Sequence, residues 1–242
     1  GALCLPARVL AETFGYHVLY DGEERTIYMT ARQNAWPEGV RLPILMYHAV
    51  SDEPWSSITE LFVRPSEMEE QIVWLIENGY DFCTFEDLNE LERYEKPVFL
   101  TFDDGYLDNY TELYPILQKY GVRATLFVVP GHFDNARCMD AETLGEMAES
   151  GLVSIQSHTW SHPDLRGLTE EELHREFSQA NRAIARVTGR LPVALAYPEG
   201  RNNERVRSTA AQYYDCAVIM GGAYPKTGRT DAYRWPRGYV YR

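Results

Sequence analysis

The sequence predicts an α/β protein in which parallel strands form a closed or distorted barrel with helices on the outside. Two observations support this prediction. From residue 43 onward, short apolar runs alternate with longer amphipathic segments in the order strand, helix, strand, helix. Seven or eight such repeats over about two hundred residues suit a barrel better than a flat sheet.

Each predicted element follows from the spacing of its apolar residues. The predicted strands are Ile44–His48, Phe82–Thr84, Val98–Phe102, Ala124–Val129, Val153–Gln156, Ala194–Tyr197, Ala217–Met220 and Gly238–Tyr241. The predicted helices are Ser66–Glu77, Phe85–Arg93, Asn109–Lys119, Asp140–Ser150, Thr169–Val187 and Asn203–Tyr213. Ser66 and Thr169 are each followed three residues later by Glu, which predicts a capping box at both helix starts.

The first residues form a different pattern. We predict a short helix from Leu5 to Phe14, followed by the strands Tyr16–Tyr20 and Thr26–Thr30 around an Asp21-Gly22 turn. About thirty residues cannot build a core alone, so this segment either packs on the rest or ends a larger domain. We expect His17 in the first of these strands to face solvent.

A linker signature, Trp36-Pro37-Glu38-Gly39, separates this segment from the barrel pattern. We therefore divide the chain into residues 1–36, a helix and a hairpin, and residues 37–242, the barrel domain. The chain starts at Gly1 without Met, so we expect a fragment of a longer protein. The lack of a signal peptide in this sequence therefore says little about the compartment of that protein.

The composition excludes some partners. The formal net charge of −13 disfavours nucleic acid and anionic membrane surfaces as partners. No stretch approaches the roughly 18–20 apolar residues that span a bilayer, so no membrane insertion is expected. The four cysteines, at positions 4, 83, 138 and 216, form no CxxC motif and are expected to be free thiols, although a disulfide cannot be assigned or excluded from spacing.

The strand ends carry the candidate chemistry, because active residues of such folds gather at the carboxyl ends of strands. Asp103 and Asp104 follow the strand Val98–Phe102 directly. Two adjacent carboxylates are not both stable as ions in a pocket, but a cation bound to one leaves the other free as a base. The alternative for this pair alone is an acidic turn before the next helix.

Two histidines follow the strand Val153–Gln156. His158 and His162 are spaced to face one metal, and Pro163 places them in a turn rather than within a helix. Together with one of the two Asp residues they supply three protein ligands and leave coordination positions open, which is typical of a catalytic metal site. Zn²⁺ suits this donor set best, and Co²⁺, Ni²⁺ or Fe²⁺ also fit.

Other strand ends carry weaker signals. Pro198 and Gly200 predict a turn in which a backbone N–H could stabilise an oxyanion, with a plain turn as the alternative. A catalytic and a purely structural role are both open for His48.

A sugar-binding groove is a further possibility along the same rim. The loop at residues 51–64 could form one wall of such a groove. The aromatic candidates for its lining, each with core packing as the alternative, are Trp55, Trp160, Trp235 and Tyr197.

Three of these segments resemble the motifs of polysaccharide deacetylases, the NodB-homology or carbohydrate esterase family 4 group. They are Thr101-Phe102-Asp103-Asp104-Gly105, Ser157-His158-Thr159-Trp160-Ser161-His162 and Ala196-Tyr197-Pro198-Glu199-Gly200. Pro43-Ile44-Leu45-Met46-Tyr47-His48 is similar to the branch that includes poly-N-acetylglucosamine deacetylases. The resemblance implies a distorted (β/α) barrel of the NodB-homology type, here preceded by the short helix-plus-hairpin segment.

A second resemblance concerns the first thirty residues. They are similar to the last repeat of the copper amine oxidase N-terminal-like domain, a module of bacterial surface proteins. This likeness implies an extracellular or cell-wall-associated bacterial protein. His17 alone is not expected to form a copper site.

The deacetylase resemblance also implies roles for individual residues. Asp103 is the expected catalytic base, and the Glu199 N–H is the expected oxyanion donor. Asp104, His158 and His162 are the expected metal ligands.

This chain departs from the family pattern in the third motif and at its end. Ala196 stands where the family often has an Arg that steadies the base, and Arg237 resembles an Arg that takes over this role. Glu199 replaces a Tyr and adds negative charge. The late Leu-x-His motif, which supplies the general acid, has no match, so His48 or Asp103 itself is expected to protonate the leaving amine.

The sequence therefore predicts a deacetylase that hydrolyses N-acetyl groups of an acetylated polysaccharide, such as peptidoglycan, poly-N-acetylglucosamine or a chitin-like polymer, with metal-activated water. An O-acetyl esterase on a xylan-type glycan and a non-catalytic glycan-binding module are the alternatives. A glycosidase is disfavoured, because the adjacent Asp103 and Asp104 cannot easily flank a bond at the ~5–9 Å separation that this chemistry needs. The oligomeric state is left open.

Overall fold

The computed structural model describes residue 9 and residues 11–240. In chain order its strands are β1 (Tyr16–Asp21), β2 (Thr26–Ala31), β3 (Ile44–Tyr47), β4 (Ala49–Val50), β5 (Phe62–Val63), β6 (Asp81–Phe82), β7 (Pro97–Asp104), β8 (Ala124–Val128), β9 (Val153–Ser157), β10 (Ala194–Ala196), β11 (Cys216–Met220) and β12 (Trp235–Tyr239). The α-helices that follow β5 are α1 (Pro65–Glu77), α2 (Tyr114–Tyr120), α3 (Ala141–Glu149), α4 (Glu170–Thr188) and α5 (Glu204–Ala210).

Seven parallel strands close into a barrel, so the predicted fold class is confirmed. Around the barrel the order is β3, β12, β11, β10, β9, β8 and β7, and β7 pairs again with β3. The short strand β6 pairs with the first residues of β7, outside the closed ring. Because all seven strands run in the same direction, their carboxyl ends meet at one rim.

The ring is distorted between β9 and β10. These two strands share a single register pair, Leu195 with Ser157. The side chain of Gln156 completes the seam, because its Oε1 accepts the backbone N–H groups of Val193 at 2.8 Å and Ala194 at 2.9 Å. The side chain therefore replaces part of the missing ladder and satisfies two buried donors.

Apolar side chains fill the barrel below the rim. Phe99 and Phe127 point into the interior and contact Phe85, with ring centroids 5.4 and 5.5 Å apart. Phe85 begins a 3₁₀ helix, Phe85–Arg93, whose apolar face is buried in the same cluster. The helices α1, α2 and α3 cover the outer face of β7, β8 and β9 with a second apolar cluster.

The N-terminal hairpin packs on the barrel domain. His17 is buried, and its Nε2 lies 3.0 Å from Oδ1 of Asp215, so the prediction that His17 faces solvent is wrong. The backbone N–H of Gln33 donates to the other oxygen of Asp215 at 2.6 Å. Asp215 follows the last helix, α5, so the contact joins segments that are remote in sequence.

A second buried acid anchors the same hairpin. Asp21 accepts two hydrogen bonds from the Arg186 guanidinium on α4, at 2.5 and 2.9 Å. This guanidinium lowers the pKa of Asp21 to about 2. Leu191 adds a backbone hydrogen bond, 2.7 Å long, to the Thr30 hydroxyl. The sequence left open whether this segment packs on the rest of the chain or ends a larger domain. The structure shows that the hairpin packs on the barrel domain.

Several local predictions need correction. The helix predicted from Asn109 begins with a π-helical turn, Asn109–Leu113, and Phe85–Arg93 is 3₁₀ rather than α-helical. Helix α1 begins at Pro65, whose fixed φ suits a first helical position, so Ser66 is not its N-cap. The predicted capping box of Thr169 with Glu172 is confirmed at the start of α4.

Some predicted features lie outside the described residues. The helix predicted from Leu5 to Phe14 is described only at residue 9 and from residue 11, and residues 11–13 are helical. Cys4 and Tyr241, the last residue of a predicted strand, also lie outside. Cys83, Cys138 and Cys216 are free thiols. Within the described ranges, none of the helices combines the length and the apolar character needed to cross a membrane.

Candidate active site

The carboxyl ends of β7 and β9 bring together the three predicted metal ligands. Oδ1 of Asp104 lies 3.6 Å from Nε2 of His158 and 3.6 Å from Nε2 of His162. The ligand atoms of the three residues all lie within 4.8 Å of one another. A tetrahedral cation with bonds of about 2.1 Å holds its ligand atoms about 3.4 Å apart, so the three residues fit a divalent cation.

The orientation of the first histidine is set by a neighbouring strand. Nδ1 of His158 lies 2.7 Å from the carbonyl oxygen of Ala196, at the end of β10. A carbonyl can only accept, so Nδ1 carries the proton and Nε2 presents its lone pair to the site. Burial lowers the pKa of His158, which favours the neutral imidazole that binds metals.

The backbone around the site is strained. Asp104, Thr159, His162 and Glu199 have φ angles of 72°, 69°, 58° and 53°, and among the described non-glycine residues only Arg25 also has a positive φ. Such conformations cost on the order of 1–3 kcal/mol each and persist only where surrounding contacts hold them. The strain therefore concentrates in the three segments that the sequence analysis selected.

Asp103 points into the barrel and meets Arg237 from β12. Two guanidinium nitrogens lie 2.7 and 2.6 Å from its two carboxylate oxygens, in a bidentate pair. Arg237 also donates to the Thr101 hydroxyl at 3.0 Å. Burial alone would raise the pKa of Asp103, but the Arg237 charge and hydrogen bonds hold it well below the ordinary value. Asp103 is thus a buried carboxylate that remains ionised.

His48 lies on the other side of the same carboxylate. Its Nε2 is 4.0 Å from Oδ2 of Asp103, and its backbone carbonyl accepts a hydrogen bond from Asn109. The side chain is partly exposed, at 14%. The structure therefore places His48 beside Asp103 and in reach of solvent.

Glu199 lies in the turn Pro198–Gly200 after β10, the strand whose Ala196 orients His158. Its side chain is exposed and pairs with Arg201 at 2.6 Å. The backbone of this turn is held closely, because a Cβ on Gly200 would lie 2.9 Å from the backbone nitrogen of Met220. The turn thus has a well-defined backbone, while the Glu199 carboxylate is engaged outside it.

The sequence analysis did not select Tyr106, which contacts the candidate ligand set. Its hydroxyl lies close enough to the Asp104 carboxylate for that carboxylate to affect the pKa of the phenol. Burial raises the pKa of Tyr106, and Asp104 raises it further, so the phenol keeps its proton. The Asp-Asp-Gly-Tyr order places Tyr106 two residues after Asp104, and this proximity was the available signal.

An aromatic wall continues from Tyr106 into the loop at residues 51–64. Trp55 packs edge-on against Tyr106, with ring centroids 4.6 Å apart. Asp108 holds the start of this loop by accepting a hydrogen bond, 3.1 Å long, from the Val50 N–H. Burial raises the pKa of Asp108 to about 6.

The other three aromatic residues predicted to line a groove differ in how exposed their side chains are. Trp235 and Tyr197 are 0% and 1% exposed and belong to the core. Trp160, between the two candidate ligand histidines, is partly exposed. Only Trp55 and Trp160 are therefore available to a ligand at the surface.

Comparison with known proteins gives consistent matches. The family model described as polysaccharide deacetylase matches residues 91–214. The Bacillus subtilis protein YxkH is 36% identical over 175 residues, which cover 70% of this chain and 61% of that protein. The poly-beta-1,6-N-acetyl-D-glucosamine N-deacetylase of Escherichia coli is 31% identical over 198 residues, which cover 73% of this chain and 29% of that enzyme. This chain thus matches less than two thirds of the length of either relative.

A solved structure also matches over most of the chain. The crystal structure of the Bacillus anthracis protein BA0330 superposes with a TM-score of 0.80 at 28% sequence identity. The match covers 89% of this chain and 68% of that one. The likeness thus extends beyond the residues that the family model matches.

Proposed function

Because this chain belongs to the polysaccharide deacetylase family, we propose that it hydrolyses N-acetyl groups of a polysaccharide with the help of a divalent cation. The candidate substrates are poly-N-acetylglucosamine, peptidoglycan and chitin-like polymers. The relative in Escherichia coli is named for the first of these, which makes it the first substrate to test.

One observation carries the proposal. An ionised, buried carboxylate, Asp103, is adjacent in sequence to Asp104, which together with His158 and His162 forms a group that fits a cation. Zn²⁺ is the cation that this donor set suits best, with Co²⁺, Ni²⁺ and Fe²⁺ as alternatives. When bound, the cation would polarise the acetyl carbonyl and lower the pKa of a bound water toward ~7.

We assign the base role to Asp103. A carboxylate of low pKa is a weak base, and it suits a water proton that is already acidified. Each of its oxygens accepts one hydrogen bond from Arg237 and retains a lone pair for the proton. Arg237 is then a positioning residue that keeps Asp103 ionised and fixes its orientation.

Two further roles complete the scheme. The N–H of Glu199, in the constrained turn after β10, would donate to the developing oxyanion. His48 would protonate the departing amine, because it is partly exposed and its Nε2 lies 4.0 Å from Asp103, from which it can receive the proton. We also propose that Trp55 and Tyr106 form a wall of the groove that contacts sugar rings.

Residues 37–242 are the proposed catalytic domain, and residues 1–36 are a separate segment whose hairpin packs on it. Peptidoglycan, one of the candidate substrates, is a cell-wall polymer, so we propose an extracellular or cell-wall site of action.

The experiment measures acetate release from oligomers of β-1,6-linked N-acetylglucosamine, from peptidoglycan fragments and from chitooligosaccharides, with and without a chelator. We expect release that the chelator abolishes and that added Zn²⁺ restores. Asp103→Asn is expected to lose about 100-fold or more in rate, in line with the loss of a general base. Asp134→Asn, an exposed acid outside the site, is the matched control. Release by Asp103→Asn at the wild-type rate contradicts the mechanism.

An O-acetyl esterase is the second candidate function. The same site residues would serve it, because an alkoxide can leave without a strong general acid. Acetylxylan in the same assay separates the two functions. Faster release from the ester than from every amide substrate would favour the esterase.

A further inference from the structure

We propose that Glu176 and Gly131, neither of which is a metal ligand, fix the loop at residues 157–162 and thereby set the affinity of the site for its cation. This inference rests on the proposed function, because it concerns the same site. Both residues form hydrogen bonds with the middle of the loop, and neither belongs to a motif that the sequence analysis selected.

Glu176 lies on α4 and binds the middle of the loop. One carboxylate oxygen accepts the backbone N–H groups of Trp160 at 3.0 Å and Ser161 at 2.9 Å. The other oxygen accepts the Ser161 hydroxyl at 2.7 Å. Three donors on two consecutive residues therefore converge on one carboxylate.

The position of these contacts explains why they matter. Trp160 and Ser161 lie between Thr159 and His162, which both have positive φ angles, 69° and 58°. A loop strained on both sides relaxes when the contacts that hold it are removed. The His162 side chain would then leave its place 3.6 Å from Asp104.

Gly131 holds the same loop from the turn after β8. Its N–H donates to the Trp160 carbonyl at 2.9 Å. A Cβ at this position would lie 2.5 Å from that carbonyl oxygen, a distance that real Cβ contacts do not show. Glycine is thus required here for close approach, and any larger residue must displace Trp160. Glu176 thus holds the peptide groups on both sides of Trp160, and Gly131 holds the second of them again through the Trp160 carbonyl.

The test measures the dissociation constant for Zn²⁺ by competition with a chelating indicator, using the metal-free full chain. Glu176→Ala and Gly131→Ala are each expected to weaken binding by about 10–100-fold, the usual effect of losing an outer contact to a ligand. Glu176→Gln keeps an acceptor for the two N–H groups and a donor for Ser161, so we expect it to recover most of the affinity. This order of wild type, Gln and Ala distinguishes positioning from general destabilisation.

Two control variants match these changes. Glu171→Ala removes an exposed acid of the same helix that pairs only with Arg175. Gly167→Ala adds a Cβ where no atom lies within 4 Å. Both are expected to bind Zn²⁺ as the wild type does. Thermal unfolding of the metal-free variants reports whether the fold is intact, and we expect the Glu176→Ala midpoint to stay close to that of Glu171→Ala.

The outcomes separate the two proposals. If the wild type binds Zn²⁺ and the Glu176→Ala constant lies within twofold of the control, this inference is overturned while the proposed function stands. If affinity falls as expected but the wild type releases no acetate from any substrate, the inference stands and the proposed function fails. A wild type that binds no cation overturns both.

Discussion

Replacing Arg237 with methionine removes the cation from a fully buried ion pair. Arg237 is 0% exposed and Asp103 is 3% exposed, and two hydrogen bonds of 2.6 and 2.7 Å join them. Methionine keeps an unbranched apolar side chain at this position but provides no donor. The variant therefore leaves the Asp103 carboxylate buried without its partner.

The expected magnitude follows from this burial. Removing one partner of a buried pair costs about 3–5 kcal/mol, because the remaining charge stays desolvated. For a chain of this length, each kcal/mol lowers Tm by about 2–4 °C, so we expect a decrease of about 6–20 °C. Burial also raises the pKa of Asp103 once the guanidinium no longer lowers it. The protonated fraction of Asp103 then increases at a given pH, and acetate release falls with the loss of the ionised base.

Urea and thermal unfolding of the wild type, Arg237→Met, Asp103→Asn and the double variant form a double-mutant cycle. We expect a coupling free energy of about 2 kcal/mol or more, since the residues share two charge-assisted hydrogen bonds. Arg234→Met, an exposed arginine three residues earlier, is the control and should change stability by less than about 0.5 kcal/mol. A coupling below about 0.5 kcal/mol would refute the reasoning.

Three further predictions concern the hairpin and the barrel seam. Arg186 lowers the pKa of Asp21 from 3.8 to about 2, so the pair stabilises the docked hairpin above about pH 4, and this contribution is lost as the pH falls through about 2. Hydrogen exchange of β1 and β2 between pH 2 and 5 measures this loss, which Asp21→Asn should abolish; equal pH dependence in both proteins contradicts it. Asp215→Ala leaves His17 without its acceptor and should cost about 1–3 kcal/mol, with faster proteolysis of the hairpin, whereas unchanged proteolysis contradicts the docking role. Gln156→Met leaves two backbone N–H groups of the β9–β10 seam unpaired, and we expect it to lower the free energy of unfolding in urea by about 2–6 kcal/mol. The control, Gln179→Met at an exposed position, should not change this free energy. Equal stability of the two variants contradicts the role of Gln156 in the seam.

The regular part of the fold could be predicted because its signal is local. Apolar periodicity depends only on neighbouring residues, and strand and helix periods differ clearly. Asp103, Asp104 and His158 were selected as site candidates because each lies at the end of an apolar run, and parallel strands bring such ends to one rim. His162 was selected with His158 from the spacing of the two histidines, and motif resemblance then added the role expected of Arg237.

Other features could not be predicted, because they depend on contacts between distant segments. His17 has the sequence context of an exposed strand residue, but it is buried by Asp215, 198 positions away. Phe85–Arg93 has the composition of an α-helix, and it is 3₁₀ where it packs its apolar residues into the barrel cluster. Glu176 is one of several acids on an amphipathic helix, and nothing in its neighbourhood distinguishes it.

By itself the sequence determined the barrel class, the strand ends that carry chemistry and the residue types that bind a cation. These properties follow from periodicity and side-chain chemistry, which every segment carries independently of the others. Only the tertiary structure decided which remote groups meet: Asp21 with Arg186, His17 with Asp215, and Glu176 with the loop that carries the candidate ligand histidines. A buried charge requires a partner within a few ångströms, and the folded chain, rather than the order of residues, determines which partner is that close.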